Sequence, residues 1–174
     1  MLKKCLIIVS VSLVLLACLK RDEYSNIPVI KYKSMWKSGN SLVIQFSFTD
    51  GNGDIGLKDD ETYFPFGPCD KFYKNLIIDP YRMKNGEFIL ARKIVPSDCS
   101  PDTSILWDTV GYDQRIKYLV PETKDKTLQG EIEVTLNEVL DEFQGDTIKF
   151  RLILIDRELN KSKPIETDVI IVPL

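Results

Sequence analysis

The sequence predicts an all-β protein, an antiparallel immunoglobulin-like β-sandwich with one short helical crossover. From Pro28 onward apolar and polar residues alternate with period two, the spacing of strands that bury one face. Clusters of Gly, Asn, Asp and Ser separate these runs, as turns between antiparallel strands do. Only one segment has helical spacing, so the βαβ repeat of a parallel sheet is missing.

The first strands are Val29-Ile30-Lys31-Tyr32 and Leu42 to Phe48, with the turn Ser38-Gly39-Asn40 between them. In the second, Leu42, Ile44, Phe46 and Phe48 share the face expected to meet the core. Further strands are expected at Lys74 to Pro80, Glu87 to Lys93 and Gln129 to Thr135. The last two, Thr147 to Asp156 and Thr167 to Val172, flank the polar turn Arg157 to Lys163 and read as a final hairpin. Leu136, Val139, Leu140 and Phe143 recur at helical spacing, Thr135 and Glu138 have capping-box spacing, and Gly145 supplies a stop. Ser97 to Asp113 lacks periodicity and reads as a long loop. One domain spans residues 28–174, without an internal repeat.

The preceding residues carry an address. Lys3 and Lys4 lead into an apolar run from Cys5 to Leu19, in which Ser10 and Ser12 are the only polar residues. A run of about 15 residues is shorter than the roughly 20 that span a bilayer and fits a signal peptide. It contains Leu15-Leu16-Ala17-Cys18, which resembles the bacterial lipobox. That resemblance implies cleavage after residue 17 and acylation (palmitate or similar chains) of Cys18; an ordinary signal peptide containing a Cys is the alternative. Residues 1–17 are then the signal peptide, and residues 18–27 the lipidated Cys and a polar tether of at most about 30 Å. Leu19, in place of an Asp after the lipidated Cys, points to the cell outer membrane. Asp22 and Glu23 are similar to the acidic signal of surface-exposed lipoproteins, although Lys20 and Arg21 interrupt it.

Composition excludes much chemistry. The chain has 174 residues and no His, which removes Ser-His-Asp and Cys-His sites and His-ligated zinc. A net charge of −3 without basic blocks argues against a nucleic-acid partner, and loss of Lys3 and Lys4 with the signal moves the side-chain charge to −5. Of the four Cys, Cys5 leaves with the signal and Cys18 takes lipid, so Cys69 and Cys99 remain. In an oxidising compartment they are candidates for a disulfide, which in the chain-entropy account contributes roughly 3–4 kcal/mol; free thiols and a two-Cys metal site are the alternatives.

The densest cluster of polar ligands is Asp50-Gly51-Asn52-Gly53-Asp54-Ile55-Gly56. Oxygen-bearing side chains at alternate positions, spaced by glycines, suit a hard cation such as Ca²⁺, and Glu61 falls where an EF-hand places its last carboxylate. Ile55 stands where an EF-hand needs Gly, and a strand precedes the loop instead of a helix, so an EF-hand is not expected. A Gly/Asp turn whose carboxylates bind backbone amides is the alternative. Trp107 and Tyr112 are candidates for an aromatic platform for a sugar or peptide, or for packing against the sheet. Asp156-Arg157 beside Asn160 and Ser162 offers either an anion clamp or a structural turn.

Phe46 to Gly56 resembles the F-x-F-x-D-G-D-G-D-I-G segment of a group of Bacteroidota lipoproteins of uncharacterised function. Leu128-Gln129-Gly130-Glu131-Ile132, and Ile155 to Ser162 leading into Glu166-Thr167, fit the same group, so the resemblance spans the domain. Asn52 replaces an Asp of that pattern. The resemblance implies an exported, lipid-anchored, immunoglobulin-like domain and no established reaction. Asp108-Thr109-Val110 and Asp146-Thr147-Ile148 are similar to a short O-glycosylation pattern of exported Bacteroidota proteins, which marks Thr109 and Thr147.

The expectation is a lipid-anchored cell-envelope protein, a binding or structural accessory and not an enzyme. Its partners are the membrane, through the anchor, and an envelope protein or glycan. A carboxylate-dependent glycan hydrolase is the alternative, because glycoside hydrolysis needs two acids and no His.

Overall fold

The structure is a computed structural model that describes residues 24–96, 107–121 and 127–174. Its strands are β1 (Val29–Ser38), β2 (Ser41–Asp50), β3 (Leu76–Lys84), β4 (Glu87–Leu90), β5 (Lys93–Pro96), β6 (Trp107–Val110), β7 (Leu128–Leu136), β8 (Thr147–Leu154), β9 (Ile165–Glu166) and β10 (Ile170–Ile171). A single-turn helix, α1 (Val139–Glu142), lies between β7 and β8. All strand pairs are antiparallel. One sheet has the order β1-β2-β7; a second has β10-β8-β3-β4, with β9 also on β8; β5 and β6 form a separate ribbon. The arrangement is a β-sandwich with one short helix, as the alternation predicts.

The core lies where the inner faces of the two large sheets meet. Leu42, Ile44, Phe46 and Phe48 of β2 are all buried, as their spacing requires, and Ile148, Phe150, Leu152 and Leu154 repeat the pattern on β8. Leu76 and Ile78 of β3 and Leu128, Val134 and Leu136 of β7 join the same cluster. Full burial contributes about 1.5–3 kcal/mol for each such side chain. Val139 and Phe143 close one end, where α1 carries the chain from the first sheet to the second.

Several boundaries differ from the sequence expectation for identifiable reasons. β1 runs on to Ser38, past the expected Tyr32, by absorbing a bulge between Tyr32 and Ser34 that lets its polar residues pair with β2. The expected strand Glu87 to Lys93 is broken at Ala91-Arg92, where the chain leaves β4 for β5. The expected loop Ser97 to Asp113 contains β6, a four-residue strand too short to show a period. The capping box does not form: β7 runs through Leu136, so Thr135 is committed to the sheet, and Glu138 precedes α1 at φ 59° without a side-chain cap. The expected strand Thr167 to Val172 is instead β9 and β10, one edge strand interrupted by a bulge. There the Thr167 hydroxyl accepts the Phe150 amide at 3.0 Å and the Thr167 amide bonds the Phe150 carbonyl.

A buried ionic network ties the second sheet to the segment after β6. Asp79, in the middle of β3, accepts Arg92 Nε at 2.5 Å and Arg151 Nη2 at 2.9 Å. Arg92 also reaches Asp113, whose carboxylate takes the Ile78 amide at 2.7 Å in place of a backbone acceptor. Tyr112 and Gln114 complete the pairing through their own amides, bonded to the Ile78 and Leu76 carbonyls.

Candidate metal centre

β2 ends at Asp50, and the seven residues that follow fold back across the end of the sandwich. Ile55 and Leu57 are buried and pin this loop to the core. Its backbone pairs with the chain before β7: Leu57 bonds to the Ile116 carbonyl, Tyr118 to Leu57 and Leu119 to Ile55. Gly56 sits at φ 86°, and a Cβ there would lie 2.1 Å from the Lys117 carbonyl oxygen, so the crossing needs glycine. At the other end of the loop the Gly51 amide donates to the Ser25 carbonyl at 2.8 Å.

The folded loop brings its polar residues against the turn that follows β8. Asp54 receives this turn twice, its carbonyl accepting the Arg157 amide and its Oδ2 the Glu158 amide at 3.1 Å. Asp156 begins the turn and holds it, one oxygen taking the Asn160 amide at 2.7 Å and the other the Asn160 side chain at 2.9 Å. One carboxylate oxygen each from Asp50, Asp54 and Asp156 then lies within 4.8 Å of the others.

Two of these acids are enclosed, Asp50 at 0% exposure and Asp156 at 1%. Asp50 Oδ2 accepts the Asp54 amide at 3.0 Å, but Asp50 Oδ1, Asn52 Oδ1 and Asp54 Oδ1 are buried atoms without a hydrogen-bond partner. Burial pushes the Asp50 carboxyl up to about 6, and the charges of Asp54 and Asp156 add to the effect. Burial likewise raises Asp54 and Asp156, each with Glu158 as an acidic neighbour.

The nearby Arg157 does not neutralise this group. Its guanidinium is paired with Glu61 and lies over the Tyr118 ring at 5.1 Å. Glu61, expected among the cation ligands, stands outside the group: one oxygen takes Arg157 and the other the Lys58 amide at 2.7 Å. Burial works to raise the Glu61 carboxyl, but these partners outweigh it and hold it below the ordinary range. The structure thus joins Asp50 and Asp54 as the spacing suggests, separates Glu61, and adds Asp156; Asn52 lies between the two in the loop with its Oδ1 buried and without a partner. The signal for Asp156 is an acid placed directly after Leu154-Ile155, where β8 leaves the core, with Asn160 four residues later.

The loop from Lys58 to Tyr73 is organised by Arg115, whose guanidinium donates to the carbonyls of Phe66, Tyr73, Lys58 and Glu61. Cys69 is exposed in this loop; Cys18 and Cys99 lie outside the described residues. Trp107 and Thr109 lie on β6, and Thr147 opens β8 opposite Ile171. Tyr112 is half-buried, its ring edge-on to Phe150 at 5.9 Å and its hydroxyl donating to Glu142. Burial and that carboxylate push the hydroxyl's pKa upward.

No protein-family model matches the chain, and no curated protein or solved structure resembles it at a significant level.

Proposed function

We propose that the protein is an exported, lipid-anchored cell-envelope module of immunoglobulin type, held at the outer membrane and serving as a binding or structural accessory. The observation that carries the reading is the apolar run ending in Leu15-Leu16-Ala17-Cys18, followed within a short polar tether by a β-sandwich domain. Acyl chains contribute roughly 0.8 kcal/mol per buried methylene, so two or more hold a domain firmly without a membrane-spanning segment. The partner is an envelope protein or glycan. A Cys69–Cys99 bridge belongs to the same reading.

The clustered acids Asp50 and Asp156 are enclosed and do not present their carboxyls to a sugar, so this cluster lends the hydrolase alternative no support. The anchor is tested by Cys18→Ser in the full chain. The variant should move from the membrane pellet to the soluble fraction and lose metabolic labelling by palmitate; retention in the pellet with label would overturn the reading.

A further inference from the structure

We propose that Asp50, Asn52, Asp54 and Asp156 form a Ca²⁺ site in which one ion staples the end of the first sheet to the end of the second. The inference does not depend on the lipid anchor.

Three observations converge. The first is the geometry: oxygens bound to a single Ca²⁺ at 2.3–2.6 Å lie no more than about 5 Å apart. The three carboxylates meet that limit, with one oxygen each within 4.8 Å. The second is the set of unspent acceptors. Asp50 is wholly enclosed, yet its Oδ1 has no donor, and neither do the buried oxygens of Asn52 and Asp54. A buried carboxylate oxygen without a partner is costly, and a cation is what would satisfy several together. The third concerns counter-charge: among the described residues no ion pair joins a Lys or Arg to Asp50, Asp54 or Asp156, and Arg157, next to Asp156 in sequence, pairs through Nη2 with Glu61.

The chemistry of the donors selects the ion. All are hard oxygens, which excludes metals that favour sulfur or imidazole. Full burial of Asp50 demands an ion that gives up water readily, as Ca²⁺ does and Mg²⁺ does not. Three carboxylates and one amide oxygen fit the weaker, extracellular class of sites, with Kd about 0.1–1 mM.

The position of the ligands gives the site its role. Asp50 closes β2 in the first sheet, and Asp156 follows β8 in the second. Without an ion the two ends are joined here by the hydrogen bonds that Asp54 receives from Arg157 and Glu158. An ion between them adds direct bonds to both strands' ends, so its binding energy appears as resistance of the two sheets to separation.

The test is calorimetric titration of CaCl₂ into chelator-treated full-chain protein, with thermal melting at each concentration. One saturable site is expected, with the melting temperature rising by about 5 °C near saturation and far less with equal Mg²⁺. Asp156→Asn keeps the shape and one of the two hydrogen bonds from Asn160, removes one ligand charge, and should weaken Ca²⁺ at least about tenfold. Should that variant fail to fold, Asp54→Asn is measured in its place with the same expectation. Absence of both saturable heat and a melting shift up to about 10 mM Ca²⁺ would overturn the proposal. Melting that ignores Ca²⁺ but rises in Asp50→Asn would also overturn it, assigning the cluster to carboxyls that share a proton.

Discussion

Asp79 holds two guanidiniums from the centre of β3, and its removal tests how the second sheet is fastened to its surroundings. Its side chain is 8% exposed, with Arg92 on one oxygen and Arg151 on the other. Stranding a charge by deleting its enclosed partner costs about 3–5 kcal/mol. The two arginines do not carry that cost equally. Arg151 is 37% exposed and lies over the Tyr81 ring, so water screens its charge, and its share is at most about 1 kcal/mol. Arg92 is 18% exposed but keeps Asp113 at 3.2 Å, which recovers part of its loss. Asp79→Ala should therefore destabilise the domain by about 2–3 kcal/mol, equivalent to about 6–9 °C in melting temperature. Urea unfolding should show a lower midpoint at an unchanged slope. Double-mutant cycles should give a larger coupling of Asp79 to Arg92 than to Arg151. A loss under about 1 kcal/mol, or the reverse order of couplings, would refute the reasoning.

Four more substitutions have defined outcomes. Gly56 and Gly86 share φ 86°, but a Cβ at Gly56 meets the Lys117 carbonyl at 2.1 Å and one at Gly86 meets nothing within 4 Å. Gly86→Ala should cost about 1 kcal/mol and Gly56→Ala at least about 3, measured by urea unfolding. Arg115→Lys keeps the charge but offers one ammonium where four carbonyls converge on a planar fork; limited proteolysis should cut the loop from Lys58 to Tyr73 several times faster. Thr167→Val preserves shape and removes the acceptor of the Phe150 amide, for a loss of about 1–3 kcal/mol in thermal melting.

The strands were legible where burial imposes a strict period. β2 and β8 are buried on alternate residues almost throughout, and the sequence shows their limits to within a few positions. β6 and the interrupted edge of β9 and β10 were not, because two to four residues hold too little alternation to register and the bulge at Thr167 breaks it. The helix was placed but its cap was not: Thr135 and Glu138 have helical spacing, yet Thr135 pairs with Val43 across the sheet, and that pairing wins. In the candidate metal centre, Asp50, Asn52 and Asp54 announce themselves through spacing as candidate ligands. Asp156 does not, since nothing in a sequence states which distant turn will meet a loop. Glu61 illustrates the converse, where counting along the chain finds a carboxylate whose oxygens are already spent on Lys58 and Arg157.

The loop that carries the ligands owes its shape to residues far from it. Asp79 and Arg92 fix Asp113, and with it the segment Tyr112 to Gln114, against β3. The same stretch of chain continues to Ile116, Tyr118 and Leu119, whose backbone holds Ile55 and Leu57. Between these two groups Arg115 gathers the carbonyls of the following loop, and Asn75 accepts the Ile116 amide at 2.6 Å. Residues 112–119 therefore act as a brace, with one end ionically fastened to the second sheet and the other pressed on the ligand loop. A brace of this kind lets three acids stand together with no ion pair to a Lys or Arg among the described residues, because the backbone bonds and the burial of Ile55 offset their mutual repulsion. Such preorganisation would favour the proposed ion: the work of assembling the carboxylates is done on folding, so little binding energy would be spent on ordering the loop.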